Sequence, residues 1–146
     1  MRSPSCGVPD RREASVKPAL AEITLTASRD VVRARQAVAR ILKERGLSVM
    51  RITRFVTAVS EIARNAIVHG GGGHISIYID ERGAYLRVEC RDEGPGIEDV
   101  TLAMTEGYTT GKGLGRGLGG AKRLSHGFEL RSAVGQGTTV SMSVKL

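Results

Sequence analysis

Apolar and polar residues alternate from Ala21 to Ala27, with Ile23 and Leu25 on one side and Glu22, Thr24 and Thr26 on the other, the period-two pattern of a half-buried strand. At Ser28 the period changes. Val31, Val32, Ala34, Val38, Ile41 and Leu42 form a helical stripe that Ser28 would cap and Gly46 would close. Ser48 predicts the start of a second, longer helix, in which Ile52, Phe55, Val56, Val59, Ile62, Ala63, Ala66 and Ile67 recur at spacings of three and four until His69 and a run of four glycines. Alternation then returns in His74 to Asp80 and Ala84 to Asp92, joined by Glu81-Arg82-Gly83 as a hairpin turn. Past Asp92, the segment Ile97 to Glu106 predicts a short helix or a mobile stretch. Gly117 to His126 has helical character with Gly127 as its cap, and Phe128 to Ala133 and Thr138 to Lys145 read as two closing strands around Gly135-Gln136-Gly137. No repeat is visible. The pattern predicts one α+β domain with a sheet on one side and helices on the other.

Charge and composition narrow the reading. The 146 residues suit one domain, and no stretch approaches the roughly 20 apolar residues of a membrane helix. Met1 to Lys17 lacks an apolar core, so a secretory signal is not expected, the tail to residue 18 is expected to be disordered, and the compartment is expected to be the cytoplasm. Cys6 and Cys90 make neither a disulfide framework nor a CxxC pair. A net charge of +7 raises the question of nucleic acid, yet it is unevenly placed: 12 basic and 5 acidic residues up to Arg54, then 10 and 10. A DNA-binding reading of the two basic helices joined at Gly46-Leu47-Ser48 would leave the second half unexplained, so nucleic acid is disfavoured as a partner.

That second half carries the candidate chemistry. Glu61 and Asn65, one helical turn apart, share a helix face at the edge of the apolar stripe. They are either a solvated rim or a carboxylate base beside an amide oxygen able to bind a hard cation. Asp92-Glu93-Gly94-Pro95-Gly96 is either a plain turn or a strand-end carboxylate beside glycines that admit a flat ligand bearing an amino group, such as adenine. Seven of the fourteen residues from Gly107 to Gly120 are glycine, and they lead into a helix, which favours a phosphate loop over a flexible linker. The loop is not a Walker A motif, because three residues separate Gly107 from Gly111-Lys112 and Gly113 follows the lysine. Gly115, Gly117 and Gly120 match GxGxxG, but neither the preceding strand nor the later acid of a dinucleotide fold is present.

Taken in order, Glu61-x-x-x-Asn65, Asp92-x-Gly94-x-Gly96, the Gly113 to Gly119 loop and Gly137-Thr138-Thr139 resemble the N box, the two glycine boxes and the closing Gly-Thr of the GHKL ATPase superfamily, which includes gyrase, MutL and the ATP domains of histidine kinases. The resemblance covers roughly residues 20 to 146. Ala58 to Asn65, and Lys112 to Gly115 with Gly117 to Leu124, look like the anti-sigma-factor serine kinases, above all the stressosome switch kinases of bacteria.

The resemblance implies a two-layer α/β sandwich of the Bergerat ATP-binding type over residues 19–146, with a mixed, largely antiparallel sheet and helices on one face. It implies a protein-serine/threonine kinase using ATP and Mg²⁺. Glu61 would be the general base and Asn65 the Mg²⁺ ligand. Asp92 would bond the adenine amino group, with Gly94 and Gly96 allowing close approach and Thr138 closing the adenine side through its hydroxyl. Glu98 to Lys112 would form a lid. Lys112 would reach the γ phosphate, and Gly113, Leu114, Gly115, Arg116, Gly117, Leu118 and Gly119 would hold the phosphates through their amides. Implied partners are a STAS-domain antagonist or scaffold protein, a PP2C-type phosphatase or a sigma factor, with no membrane involved. The alternative output is an anti-sigma factor that sequesters a sigma factor directly. Two positions depart from the switch-kinase pattern: Arg116 stands where leucine is usual, and His69-Gly70 where an aromatic and a small residue are usual. His69 is read as a cap or packed residue and kept out of the catalytic set.

Overall fold

The computed structural model describes residues 18–104 and 117–146. The tail expectation for residues 1–17 and the larger part of the lid and glycine loop therefore lie outside the described residues. Within them the chain runs β1 (Ala21–Leu25), α1 (Ser28–Glu44), α2 (Val49–Gly70), β2 (Gly73–Ile79), β3 (Tyr85–Asp92), α3 (Val100–Ala103), α4 (Gly117–Arg123), β4 (Gly127–Ser132) and β5 (Thr138–Lys145). The described strands form one sheet in the order β1-β2-β3-β5-β4. Every pairing is antiparallel, where a mixed, largely antiparallel sheet was expected.

Alternation fixes which face is covered. Ile23, Leu25, Ile75, Ile77, Leu86, Val88, Cys90, Val140, Met142 and Val144 are buried on the helix side. Several are register partners of one another across the sheet, as in Ile23 opposite Ile75 and Ile75 opposite Cys90. Onto them α2 lays Phe55, Val59, Ile62 and Ala66, and α1 adds Val31, Ala34, Val38 and Leu42. Full burial of a side chain such as Phe55 contributes about 1.5–3 kcal/mol. No described helix is long and apolar enough to cross a membrane.

Helix ends show where local reading held. Ser48 caps α2 by accepting the Arg51 N–H at 3.2 Å, and Gly71, at φ 74°, ends that helix in the left-handed region. Ser28, in contrast, does not cap α1. Its role falls to Asp30, whose carboxylate turns back to accept the backbone N–H groups of Thr26 and Ala27 at 2.9 and 3.0 Å, the Thr26 hydroxyl at 3.0 Å and Arg33 Nη1 at 3.0 Å. Gly127 is likewise not a helix cap. It opens β4 opposite Ser143.

The Thr26 and Ala27 N–H groups, joined by the hydroxyl and Arg33, hold the Asp30 carboxyl well below the usual carboxylate range even though its burial works the other way. A depressed folded-state pKa contributes stability that is complete above the ordinary value near 3.8 and fades as pH falls below it. Asp30→Asn should therefore lower Tm at pH 7, and the gap to the parent should close as a thermal series is taken below pH 3.8. A gap that stays constant with pH would remove Asp30 as the ionised cap.

Candidate functional site

The ends of α2 and β3 meet at a cleft of about 390 Å³, within the range of small-molecule sites. Its walls include Ile62, Ala66, Cys90, Ile97, Leu118 and Val140, with Asn65, His69, Asp92 and Thr138 as polar groups among them. An apolar slot with a few fixed polar atoms suits a flat heterocycle carrying an amino group.

Asp92 ends β3 directly opposite Thr138 of β5. Its Oδ1 accepts the Gly94 N–H at 2.9 Å. Partial burial raises its pKa above the ordinary carboxylate value, while hydrogen bonds from the Gly94 and Thr138 backbone and the charge of His69 pull it partly back. The carboxylate is pressed into place by Gly70, the last residue of α2: a Cβ there would lie 2.6 Å from Asp92 Cβ and 2.7 Å from Oδ1. A Cβ on Gly94 would in turn stand 2.5 Å from Gly70 Cα, so the close approach at Gly94 is of β3's end to α2. Gly96, at φ 80°, passes against the Ala133 carbonyl. Gly94 and Gly96 thus hold the cleft floor together by letting backbone meet backbone.

Thr138 lines the cleft, and its hydroxyl lies 2.9 Å from Ser132 Oγ. Ser132 also bonds the Gly137 carbonyl at 3.0 Å and accepts the Ile97 N–H at 2.8 Å. It is a buttress that the sequence reading missed, for an isolated serine near a strand end carries no pattern. His69, which the sequence reads as a cap or packed residue, stands in the cleft wall. The signal was present in the sequence, because Glu61, Asn65 and His69 follow one another at four-residue steps on one face of α2.

One turn and two turns back along α2, Asn65 and Glu61 occupy the other end. Asn65 Oδ1 is buried with no partner among the described residues, an arrangement that costs about 1–3 kcal/mol unless a ligand satisfies it. Glu61 Oε1 is 3.4 Å from Arg64 Nη1 and partly open to solvent. Gly117, where α4 begins, closes against this pair: a Cβ there would meet Glu61 Oε1 at 3.0 Å and Asn65 Nδ2 at 3.3 Å. Leu118 is buried in the cleft wall, and Gly119 follows in the first turn of α4. Lys112, Gly113, Leu114, Gly115 and Arg116 lie outside the described residues. Asp99, within the expected lid, caps α3 by accepting the Leu102 N–H at 2.9 Å.

Cys90 lies on the same face of β3 as Asp92, its thiol turned to the Ile62 carbonyl at 3.8 Å. Burial, with the negative charges of Asp92 and Glu89 adding to it, pushes the thiol up to about 12. Thiol reagents react through the thiolate, so native Cys90 should label at pH 8 only at the rate at which the domain opens, and quickly in denaturant. Mass spectrometry of timed labelling checks this, and fast native labelling would contradict the burial of the strand.

Comparisons with known proteins identify the family of the domain. Residues 24–144 match the family model described as a histidine kinase-like ATPase domain. Over 113 residues the chain is 42% identical to the serine/threonine-protein kinase RsbT of Bacillus subtilis (strain 168), covering 76% of this chain and 85% of that protein. It is 37% identical over 120 residues to an anti-sigma F factor of Clostridium novyi (strain NT), covering 77% and 84%. In fold it is similar to a histidine kinase domain from the blue-light activated histidine kinase EL346 of Erythrobacter litoralis, with a TM-score of 0.55 at 20% identity over 92% of this chain and 68% of that one. A two-layer antiparallel fold with a cleft between α2 and β3, and a family match spanning nearly all the described residues, lead to one conclusion: the chain belongs to the histidine kinase-like ATPase family and is an enzyme of its serine/threonine-protein kinase branch.

Proposed function

We propose that this protein transfers the γ-phosphate of ATP to a serine of a STAS-domain antagonist or scaffold protein in a cytoplasmic partner-switching pathway. The observation that carries the reading is the buried, unpartnered Asn65 Oδ1 beside Glu61, at the opposite end of the cleft from Asp92. In this reading Asp92 accepts a hydrogen bond from the adenine amino group, and Thr138, braced by Ser132, closes that side. Glu61 takes the proton of the serine hydroxyl as its oxygen bonds to the γ phosphorus. The bond from phosphorus to the β,γ-bridging oxygen breaks, and ADP leaves with that electron pair.

The donor set fits Mg²⁺, since an amide oxygen without a partner among the described residues suits a hard cation. Asn65 would hold the ion, which when bound neutralises phosphate charge. Among the described residues no group of three His, Cys, Asp or Glu is placed to bind a metal, so Asn65 would share the ion with the phosphates and water. Lys112 would reach the γ phosphate, and amides from Gly113 to Gly119 would receive the phosphate oxygens. Among the exposed cations of α1, Arg35 and Arg40 suit an acidic protein partner, whereas Arg33 is engaged by Asp30.

Transfer of labelled γ-phosphate to a purified STAS-domain protein tests the reading, with Asn65→Ala as the metal control. Transfer by the parent chain and its loss in Asn65→Ala are expected. Transfer that survives the substitution overturns the metal assignment, and none from the parent overturns the kinase assignment. A second output, direct sequestration of a sigma factor, is favoured by the 37% identity to an anti-sigma F factor. Pull-downs against sigma factor, PP2C-type phosphatase and STAS protein separate the outputs, and binding to sigma factor alone would select the second.

A further inference from the structure

The helix that carries Glu61 is covered along one side by the sheet and α1, but it keeps one open stripe. Met50, Arg54, Thr57, Glu61, Arg64 and Val68 follow one another at alternating steps of four and three, which keeps them on a single face. Met50, Arg54, Thr57 and Val68 are exposed, and Glu61 and Arg64 partly so. At the far end Val49 and Met50 are 79% and 73% exposed, unusual for large apolar side chains at a helix start. Arg54 and Arg64 lie along the stripe, and its only carboxylate is Glu61 itself. The first turn of α2 holds no acid, although that is where acids favour a helix, so nothing there offsets the cations.

We propose that this stripe is the docking track of the acceptor protein: its serine reaches Glu61, its carboxylates face Arg54 and Arg64, and an apolar side chain packs on Val49 and Met50. The inference rests on the kinase reading and adds to it the chemistry of the acceptor. Charge complementarity selects the occupant, since a cationic stripe with an apolar end suits an acidic segment with an apolar anchor. The helix rise sets the spacing. Met50 lies eleven residues before Glu61 in the sequence, or about 16 Å along the axis, and Arg54 lies about 10 Å from it. In an extended acceptor segment the anchor would stand about five residues from the serine. Apart from Glu61, where the two meet, the track lies outside the cleft, so Val49, Met50 and Arg54 govern the affinity for acceptor and leave the affinity for nucleotide alone.

Steady-state transfer to a STAS-domain protein tests this, with ATP binding measured on the same samples. For Met50→Asp combined with Arg54→Glu, the KM for acceptor should rise about tenfold or more, with kcat at saturating acceptor and the Kd for ATP unchanged. Arg54→Lys should stay near the parent. In methionine-methyl NMR of the full chain, the Met50 resonance should shift on adding acceptor while that of buried Met142 does not. An unchanged KM in the double variant, a silent Met50, or a Met50 shift that follows this chain's own concentration, meaning a second copy covers the stripe, each overturns the track while transfer continues. Absence of transfer by the parent chain, with ATP still bound, overturns the kinase reading and the track with it.

Discussion

Glu61→Gln should lower phosphoryl transfer by about 10²- to 10⁴-fold, the usual contribution of a positioned general base, while the Kd for ATP stays close to that of the parent. The amide keeps the size of the side chain but removes its negative charge and with it the ability to take a proton. The lost pairing with Arg64 is a partly exposed contact, and such pairs contribute at most about 1 kcal/mol. Stability should therefore hardly move. Single-turnover transfer alongside calorimetric ATP binding makes the distinction. Undiminished transfer would move the base elsewhere, and a parallel loss of ATP affinity would make Glu61 a binding group.

Gly70→Ala has the second large effect, and it reverses the ordinary rule. Within a helix, alanine is preferred over glycine by about 1 kcal/mol, so the substitution would normally stabilise α2. Here the new methyl would occupy the place of the Asp92 carboxylate. The carboxylate can rotate aside, but the Asp92 Cβ, 2.6 Å from the new methyl, moves only with the β3 backbone, so relief shifts the end of β3 and carries the carboxylate out of its place in the cleft. A hydrogen bond to a charged group contributes about 1.5–3 kcal/mol, which predicts a loss of roughly 10- to 100-fold in ATP affinity, accompanied by a lower Tm because the end of β3 has had to move. Calorimetry and a melting curve on the same variant test this, and ATP affinity equal to the parent's would remove Asp92 as the adenine acceptor.

Much of this site was legible in the chain because its parts are local. Asn65 follows Glu61 by one turn, and Asp92 ends an alternating segment, so period and spacing alone put each on its element. The closing Gly137-Thr138 was legible through its place in the ordered motif set. What escaped was tertiary. Ser132 acquires its role only when β4 lies beside β5, and Asp30 replaces Ser28 as the cap because its side chain can fold back onto two N–H groups at once. His69 was visible at its four-residue step but had no stated task until β3 brought Asp92 beside it. The two basic helices looked alike in charge, yet one of their arginines, Arg33, is absorbed by Asp30, a pairing that net charge does not reveal.

In the proposed reading, the pairing of Asp92 with Thr138 would tie the nucleotide to β5. Thr138 begins the last strand, and that strand separates β3 from β4, so peeling it away would strip Asp92 of its neighbour, expose β3 as an edge and detach β4 in one event. Ligand that binds only the paired state stabilises that state by mass action. Bound ATP should then slow the fraying of β5 more than that of β1, and amide hydrogen exchange along Thr138–Lys145 becomes a gauge of nucleotide occupancy, readable in a protein whose cleft contains no tryptophan to report it.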